Sequence, residues 1–259
     1  METKAGDPGA FAHFDLSRVD TPAFVVDAAK LRANCQILAE IRDEADIKML
    51  SALKAFSMWS TAPIIGEYLD GVCTSGLWEA RLASEFYDGE IATFCAAYKE
   101  EDMEEICRLS DHVIFNTPMQ RERFADIVQA ARNRGETFDI GLRVNPLHAE
   151  GEVPRYDPCA PHSRLGFPVD QLTEEHVEGL DGLHFHTLCE QDLGPLKRTW
   201  EALLRGPTTS RPARRSRTRT RPRTAVPDGA RRPATTRGVP TAGRCGGRST
   251  SRARCRRRC

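Results

Sequence analysis

The chain has 259 residues, room for one large domain or two small ones, and its 37 Lys and Arg balance its 37 Asp and Glu. That neutrality conceals two unlike pieces: Met1 to Arg205 carries 20 basic against 36 acidic residues, whereas Gly206 to Cys259 carries 17 Arg, no Lys and a single acid, Asp228. No apolar run approaches the roughly 20 residues of a membrane span, "METKAGDPGAFAHF" lacks a secretory pattern, and six cysteines before residue 206 are scattered without CxxC spacing, so a non-membrane protein of the reducing cytoplasm is expected.

Residues 1–20 are read as an N-terminal segment. After the short extended stretch "TPAFVVD", "AAKLRANCQILAEIRDEA" places Leu31, Ile37, Leu38 and Ile41 at near-helical spacing and predicts a helix. Strand-like and helix-like pieces then alternate: "IKMLSAL" and "MWSTAPIIGEYL"; "GVCTS" and "LWEARLASEF"; "EIATFCA" and "EEDMEEICRLS"; "HVIFN" and "PMQRERFADIVQAARNRG"; "DIGLRVN"; "GLHFHTL" and "GPLKRTWEALLRG". Such alternation implies parallel strands joined by right-handed crossovers. Asn116-Thr117-Pro118 is a helix start signal and Gly135 a stop. The fifth of the six strands is followed by an insert, residues 146–180, of a length often kept for function. A doubly wound open sheet and a (β/α)8 barrel both fit, and no GxGxxG follows the first strand, which weighs against dinucleotide binding. From Gly206 onward there is no Leu, Ile, Met, Phe, Trp or Tyr, only Val226 and Val239. Such a tail cannot bury enough apolar surface to offset chain entropy and is expected to be disordered.

Several residues could carry chemistry. Lys54, in "SALKAFS", stands near the end of a strand that reads as buried, where an ammonium is costly unless it is paired, reaches solvent or is condensed with a carbonyl. "GLRVNP" ends in Arg143 and Asn145, and "GLHFHTLCEQ" holds His184, His186, Cys189 and Glu190. Alternation puts His184 and His186 on one side of their strand. That suits a metal pair, a ring stacked on an aromatic cofactor, or ordinary polar groups of core and surface. In the insert, "YDPCAPHSRLGF" gathers Asp157, Cys159, His162, Ser163 and Arg164; the spacing is not one used by structural zinc, while an arginine beside a serine suits an anion.

Five segments in this order, "SALKAFS", "DGVCTSGLWEARLA", "GLRVNP", "YDPCAPHSRLG" and "GLHFHTLCEQ", resemble the alanine-racemase-like, fold-type III pyridoxal-phosphate decarboxylases. Within that family they look most like the branch acting on carboxynorspermidine and carboxyspermidine. The resemblance implies an α/β fold, an incomplete (β/α)8 TIM-type barrel of about six units over residues 21–205. Lys54 then matches the catalytic lysine that carries pyridoxal 5'-phosphate. His186 matches the ring that stacks on the cofactor, Arg143 the arginine near its O3′ side, and Ser75 a small polar residue lining its pocket. Ser163 and Arg164, with Cys189 and Glu190, match active-site loop or substrate-side positions, and no metal is implied. The implied substrate is a small carboxy-polyamine, and the family's members are homodimers.

The family's seventh and eighth strands bring a glycine-rich phosphate loop and a glutamate for the pyridine nitrogen, and a C-terminal β domain completes its site. None has a counterpart in residues 206–259, so impaired decarboxylation is expected, and the abrupt break at Gly206 reads as a shifted reading frame. Four alternatives stay open: another fold-type III decarboxylase of diaminopimelate or ornithine type, a non-catalytic pyridoxal-phosphate-binding fragment, a metal-dependent hydrolase built on His184 and His186, and nucleic-acid binding through the Arg-rich tail with steep salt dependence.

Overall fold

Asp27 starts the first long helix, α1 (Ala28–Ala45), by accepting hydrogen bonds from the backbone N–H groups of Ala29 at 2.9 Å and Lys30 at 3.1 Å. The helix stops where Asp46 turns left-handed. Its bounds are those of the apolar periodicity, yet only Cys35 is buried, and Ile37 and Ile41 stand about half exposed. This computed structural model describes residues 11–188 and 191–206; residues 207–259, where disorder is expected, lie outside them, as do Cys189 and Glu190.

Seven parallel strands follow: β1 (Leu50–Ala52), β2 (Gly71–Thr74), β3 (Glu90–Phe94), β4 (His112–Phe115), β5 (Asp139–Asn145), β6 (Phe167–Pro168) and β7 (Gly182–His184). The helices after α1 are α2 (Ala62–Gly66), α3 (Leu77–Phe86), α4 (Glu100–Leu109), α5 (Pro118–Arg123), α6 (Ala125–Asn133), α7 (Glu174–Val177) and α8 (Leu193–Leu204). β1 to β5 lie side by side in chain order, β7 pairs with the middle of β5, and the two-residue β6 pairs with its last residues, Val144 and Asn145. A doubly wound sheet reverses its strand order partway. Here the order runs one way, which is the order of a (β/α) barrel.

The helix expected over 118–135 is two helices. Thr117 Oγ1 accepts from the N–H of Gln120 at 3.1 Å to start α5, and the break falls at Phe124, whose buried ring meets Phe115 and Tyr98. Gly135 closes α6 at φ 93, a conformation open to glycine. Along β4 and β5, Val113, Phe115 and Ile140 pack outward on Leu77, Met103, Ile106, Phe124 and Val128 of the helical layer. Leu142 and Val144 pack on Val169, Leu172 and Leu203, which ties the insert and α8 to the sheet. Gly141, Arg143 and Asn145 alternate with these and face the barrel interior.

Three aspartates pin the strands at their N-terminal ends. Asp70, Asp111 and Asp181 each precede a strand, and each accepts through Oδ2 the N–H of a residue on the neighbouring strand's side: Met49 at 2.9 Å, Ile91 at 2.9 Å and Ile140 at 2.8 Å. Each returns its own N–H to the carbonyl of the same residue, at 2.9, 2.8 and 2.9 Å. A one-residue slip would break both bonds of such a clamp and turn every side chain of the strand to the wrong face. Replacing Asp111 by Ala leaves the N–H of Ile91, itself 3% exposed, without its acceptor. We expect Asp111→Ala to lower unfolding free energy by about 2 kcal/mol, the scale of a lost bond to a charged group, measured by urea denaturation.

The barrel floor is ionic. Glu90 takes Lys48 and the Nε2 of His112, at 3.3 Å, while His112 Nδ1 lies 3.3 Å from Asp139. The bond to His112 and the neighbouring Lys48 lower the Glu90 pKa despite burial, and Glu90 in turn raises that of His112. Because the folded state favours protonated His112, its contribution is full below the ordinary value of 6.5 and fades as pH climbs through the raised folded value. Glu90 behaves oppositely, contributing above its ordinary 4.5 and losing its contribution as pH falls through the lowered value. Melting temperature measured against pH should therefore decline on the alkaline side of 6.5, and His112→Gln should flatten that limb while leaving the acid limb in place.

Candidate active site

The C-terminal ends of parallel strands form the mouth of a barrel, where loops meet and catalytic groups gather. At the end of β1 the ladder runs one residue further, Leu53 donating its N–H to the carbonyl of Cys73 at 3.0 Å. The chain then turns sharply, with the N–H groups of Ala55 and Phe56 returning to the carbonyl of Ala52. Leu53, 1% exposed, points into the core among Ala62, Ile65 and Leu69. Lys54 takes the opposite direction and is exposed. The expectation of a buried strand is thus corrected: β1 is three residues long with its last residue exposed, and Lys54, in the turn just beyond it, is exposed with no hydrogen bond or ion pair among the described residues.

On β5, Arg143 is 4% exposed. Its Nη2 donates to the carbonyl of His186 at 3.0 Å and its Cζ lies 4.7 Å from the centroid of the Phe94 ring on β3. Among the described residues no carboxylate stands within ion-pair distance of it, and burial draws its pKa below the usual arginine value. His184, the register partner of Arg143, stacks on the same Phe94 with centroids 5.2 Å apart and planes 22° apart. Burial, then the charges of Arg143 and His186, push the His184 pKa down to about 4. His186, just past the end of β7, is exposed and also lowered, by desolvation and then by the charges of Lys54 and Arg143. In both imidazoles the protonated form is thus disfavoured. His184 Nδ1 and Thr187 Oγ1 are buried with no partner among the described residues.

Ser75 follows β2 and is exposed, its N–H donating to Glu79 Oε2 at 2.7 Å. It lines a cleft of about 290 Å³ with Trp78, Cys95, Tyr98 and Asp102, a space that includes none of Lys54, Arg143 and His186. The insert is organised from within and without. Asp157 accepts the N–H groups of Gly151 at 2.6 Å and Cys159 at 2.7 Å, and burial with Asp157 nearby pushes the Cys159 thiol up to about 11. These residues build the loop, and His162 is exposed in a left-handed conformation. Among the described residues no three His, Cys, Asp or Glu side chains form a possible metal-holding group, and no helix is long and apolar enough to cross a membrane.

Asn116, at the end of β4, clamps the segment that carries Ser163 and Arg164. Its Nδ2 donates to the carbonyl of Arg164 at 2.9 Å and its Oδ1 accepts the N–H of Gly166 at 2.8 Å. Ser163 Oγ accepts from the N–H of Leu165 at 3.2 Å, and the Arg164 side chain is exposed. Upstream, Glu150 takes Arg198 of α8 through both oxygens, at 2.8 and 2.5 Å, along with His148, which together hold its pKa at about 2. Sequence reasoning missed Phe94 and the clamping role of Asn116; the "FN" that closes "HVIFN" was legible only as a helix start.

No protein-family model matches the chain. It is 37% identical over 180 residues to a carboxynorspermidine/carboxyspermidine decarboxylase of Campylobacter jejuni, covering 70% of this chain and 45% of that protein. It is 32% identical over 184 residues to a carboxyaminopropylagmatine decarboxylase of Synechocystis, covering 71% and 46%. The crystal structure of the Campylobacter jejuni carboxynorspermidine decarboxylase with norspermidine superposes with a TM-score of 0.63 at 34% identity, over 73% of this chain and 47% of that one. A diaminopimelate decarboxylase from Helicobacter pylori, complexed with L-lysine, shares the fold at a TM-score of 0.60 and 18% identity, over 72% of this chain and 50% of that one. The chain spans about half the length of the curated relatives it matches.

The clamp at Asn116 has a direct test. Asn116→Ala removes both long-range bonds to the insert, and amide hydrogen exchange at Gly166 should quicken by about tenfold or more, the rate equivalent of one lost hydrogen bond, while the amides of β2 and β3 keep their protection.

Proposed function

We propose that this chain, a relative in sequence and fold of the carboxynorspermidine/carboxyspermidine decarboxylases across about half of their length, holds pyridoxal phosphate through Lys54 and serves the decarboxylation of a carboxylated polyamine. The observation that supports the proposal is the bond from Arg143 on β5 to the carbonyl of His186 just past β7, at the same C-terminal end of the parallel sheet at which Lys54 follows β1. Their order along the chain and their strands are those that the resemblance implies.

The residues present fit such a group. A solvent-facing primary amine is free to form a covalent link, a buried guanidinium lacks a carboxylate among the described residues, and two buried polar atoms, His184 Nδ1 and Thr187 Oγ1, want partners. Pyridoxal phosphate, when bound, supplies an electron sink for the bond to a departing carboxylate. The chain's own residues do the rest. Lys54 Nζ would hold the cofactor and carry a proton to the reacting carbon. His186, whose protonated form is disfavoured by desolvation and by the charges of Lys54 and Arg143, would offer a flat ring to the cofactor. Arg143 would fix an oxygen of the cofactor. Ser75, and Ser163 with Arg164 on the insert, would flank the opening. The excess of acid over base before residue 206 would draw a polycation toward the protein at low salt.

The experiment is to incubate the chain with pyridoxal phosphate, reduce with borohydride and map the label by peptide mass. The label should concentrate on Lys54, and Lys54→Ala should abolish both it and the visible absorbance. Labelling spread evenly over the lysines, or unchanged in Lys54→Ala, would overturn the proposal.

A further inference from the structure

Arg143 reaches the barrel interior with one hydrogen bond to a carbonyl among the described residues and one aromatic face beside it. Neither contact alone fixes a guanidinium, because a single N–H bond leaves rotation about its axis and a ring face tolerates sliding. The ring that supports it, Phe94, is itself at the end of β3 and half-buried. What backs Phe94 is His184, stacked at 5.2 Å with a tilt of 22°. His184 is also the cross-strand neighbour of Arg143, so the three side chains come from β3, β5 and β7 and meet on the interior face.

We propose that His184 is a positioning residue for Arg143: acting through Phe94, it holds the guanidinium at the barrel mouth as a fixed donor to the anionic cofactor. The inference rests on the pyridoxal-phosphate reading above and goes beyond it, by giving the first histidine of the "HFH" segment a task distinct from that of His186. The surroundings of His184 agree. Its Nδ1 makes no hydrogen bond among the described residues, so in this structure the ring's contact with Phe94 is through its face. Burial keeps it neutral, so it places no second charge beside Arg143. A planar ring should replace it; a branched aliphatic chain of similar bulk should not.

Four variants of the full chain test this: His184→Phe, His184→Leu, Arg143→Ala and the double variant His184→Leu/Arg143→Ala. Two quantities are read, the dissociation constant for pyridoxal phosphate from its absorbance change and the ring-current shift of the Arg143 side-chain Nε–H signal by NMR without cofactor. His184→Phe should keep the shift and bind within about threefold of the wild type. His184→Leu should lose the shift and bind about tenfold more weakly, the scale of one bond to a charged group. The double variant should bind no more weakly than Arg143→Ala, because a residue that acts only through Arg143 has nothing left to act on. Additive losses in the double variant, or an Arg143 signal indifferent to His184→Leu, would overturn the assignment. If the wild type binds no pyridoxal phosphate, the functional reading fails instead, and the positioning role stands or falls on the NMR shift alone.

Discussion

The register of the parallel strands is the constraint on which the rest of the molecule depends. A parallel sheet has no hairpins to set its pairing, so register must be fixed by packing and by specific bonds at the strand ends. Asp70, Asp111 and Asp181 supply those bonds at the floor, each exchanging two hydrogen bonds with the side of a neighbouring strand. Lys54, Ser75, Arg143 and His186 stand at or just past the other end of the same strands. Arg143 meets His184 because Gly141 is opposite Gly182, and Gly141 is opposite Gly182 in part because Asp181 holds Ile140.

At the mouth, the dominating quantity is the desolvation of one guanidinium. Taking Arg143 out of water without a carboxylate beside it is unfavourable unless its N–H groups and its faces find partners. The carbonyl of His186 and the ring of Phe94 serve in that role. The price is visible in the neighbours, since His184 and His186 are both drawn away from protonation by burial and by cations. Positive charge at this end of the sheet thus rests on Lys54 and Arg143, with protonation of both histidines disfavoured. The floor has the opposite character: there Lys48, Glu90, His112 and Asp139 satisfy one another.

What was legible in the sequence follows from how local its cause is. The bounds of α1 and α3 could be read because periodicity, the Asp27 cap and the flanking breaks are all within a few residues. Burial depth could not, as the exposed Ile37 and Ile41 show. The seven-residue stretch "IKMLSAL" read as one buried strand, but β1 is only Leu50–Ala52 and its last residue is exposed; the turn folding back onto the carbonyl of Ala52 follows at once, and Lys54 lies in it, open to solvent. The aspartate clamps had a signal that went unread, the recurrence of "LDGV", "SDHV" and "LDGL" where strands begin. Phe94 and Asn116 had none, because their partners are tens of residues away. The choice between open sheet and barrel was likewise undetermined by the alternation of elements and is decided by strand order.

Strand order alone, however, does not curl a sheet. Among the described residues β1 pairs only with β2, and β7 only with β5, so Lys54 and His186 belong to strands with four others between or beside them and no ladder joining the two. Were the sheet flat, strands spaced at about 4.8 Å would set the two mouths far enough apart for water and salt to screen one from the other. A geometric sign of curvature lies nearer the middle: Phe94 of β3 and His184 of β7 are three strand spacings apart, about 14 Å in a flat sheet, yet their ring centroids are 5.2 Å apart. Such an approach is what a sheet curled toward its interior face gives. From β3 to β7 the twist and coil of the sheet itself bring Phe94, Arg143 and His184 into a common space.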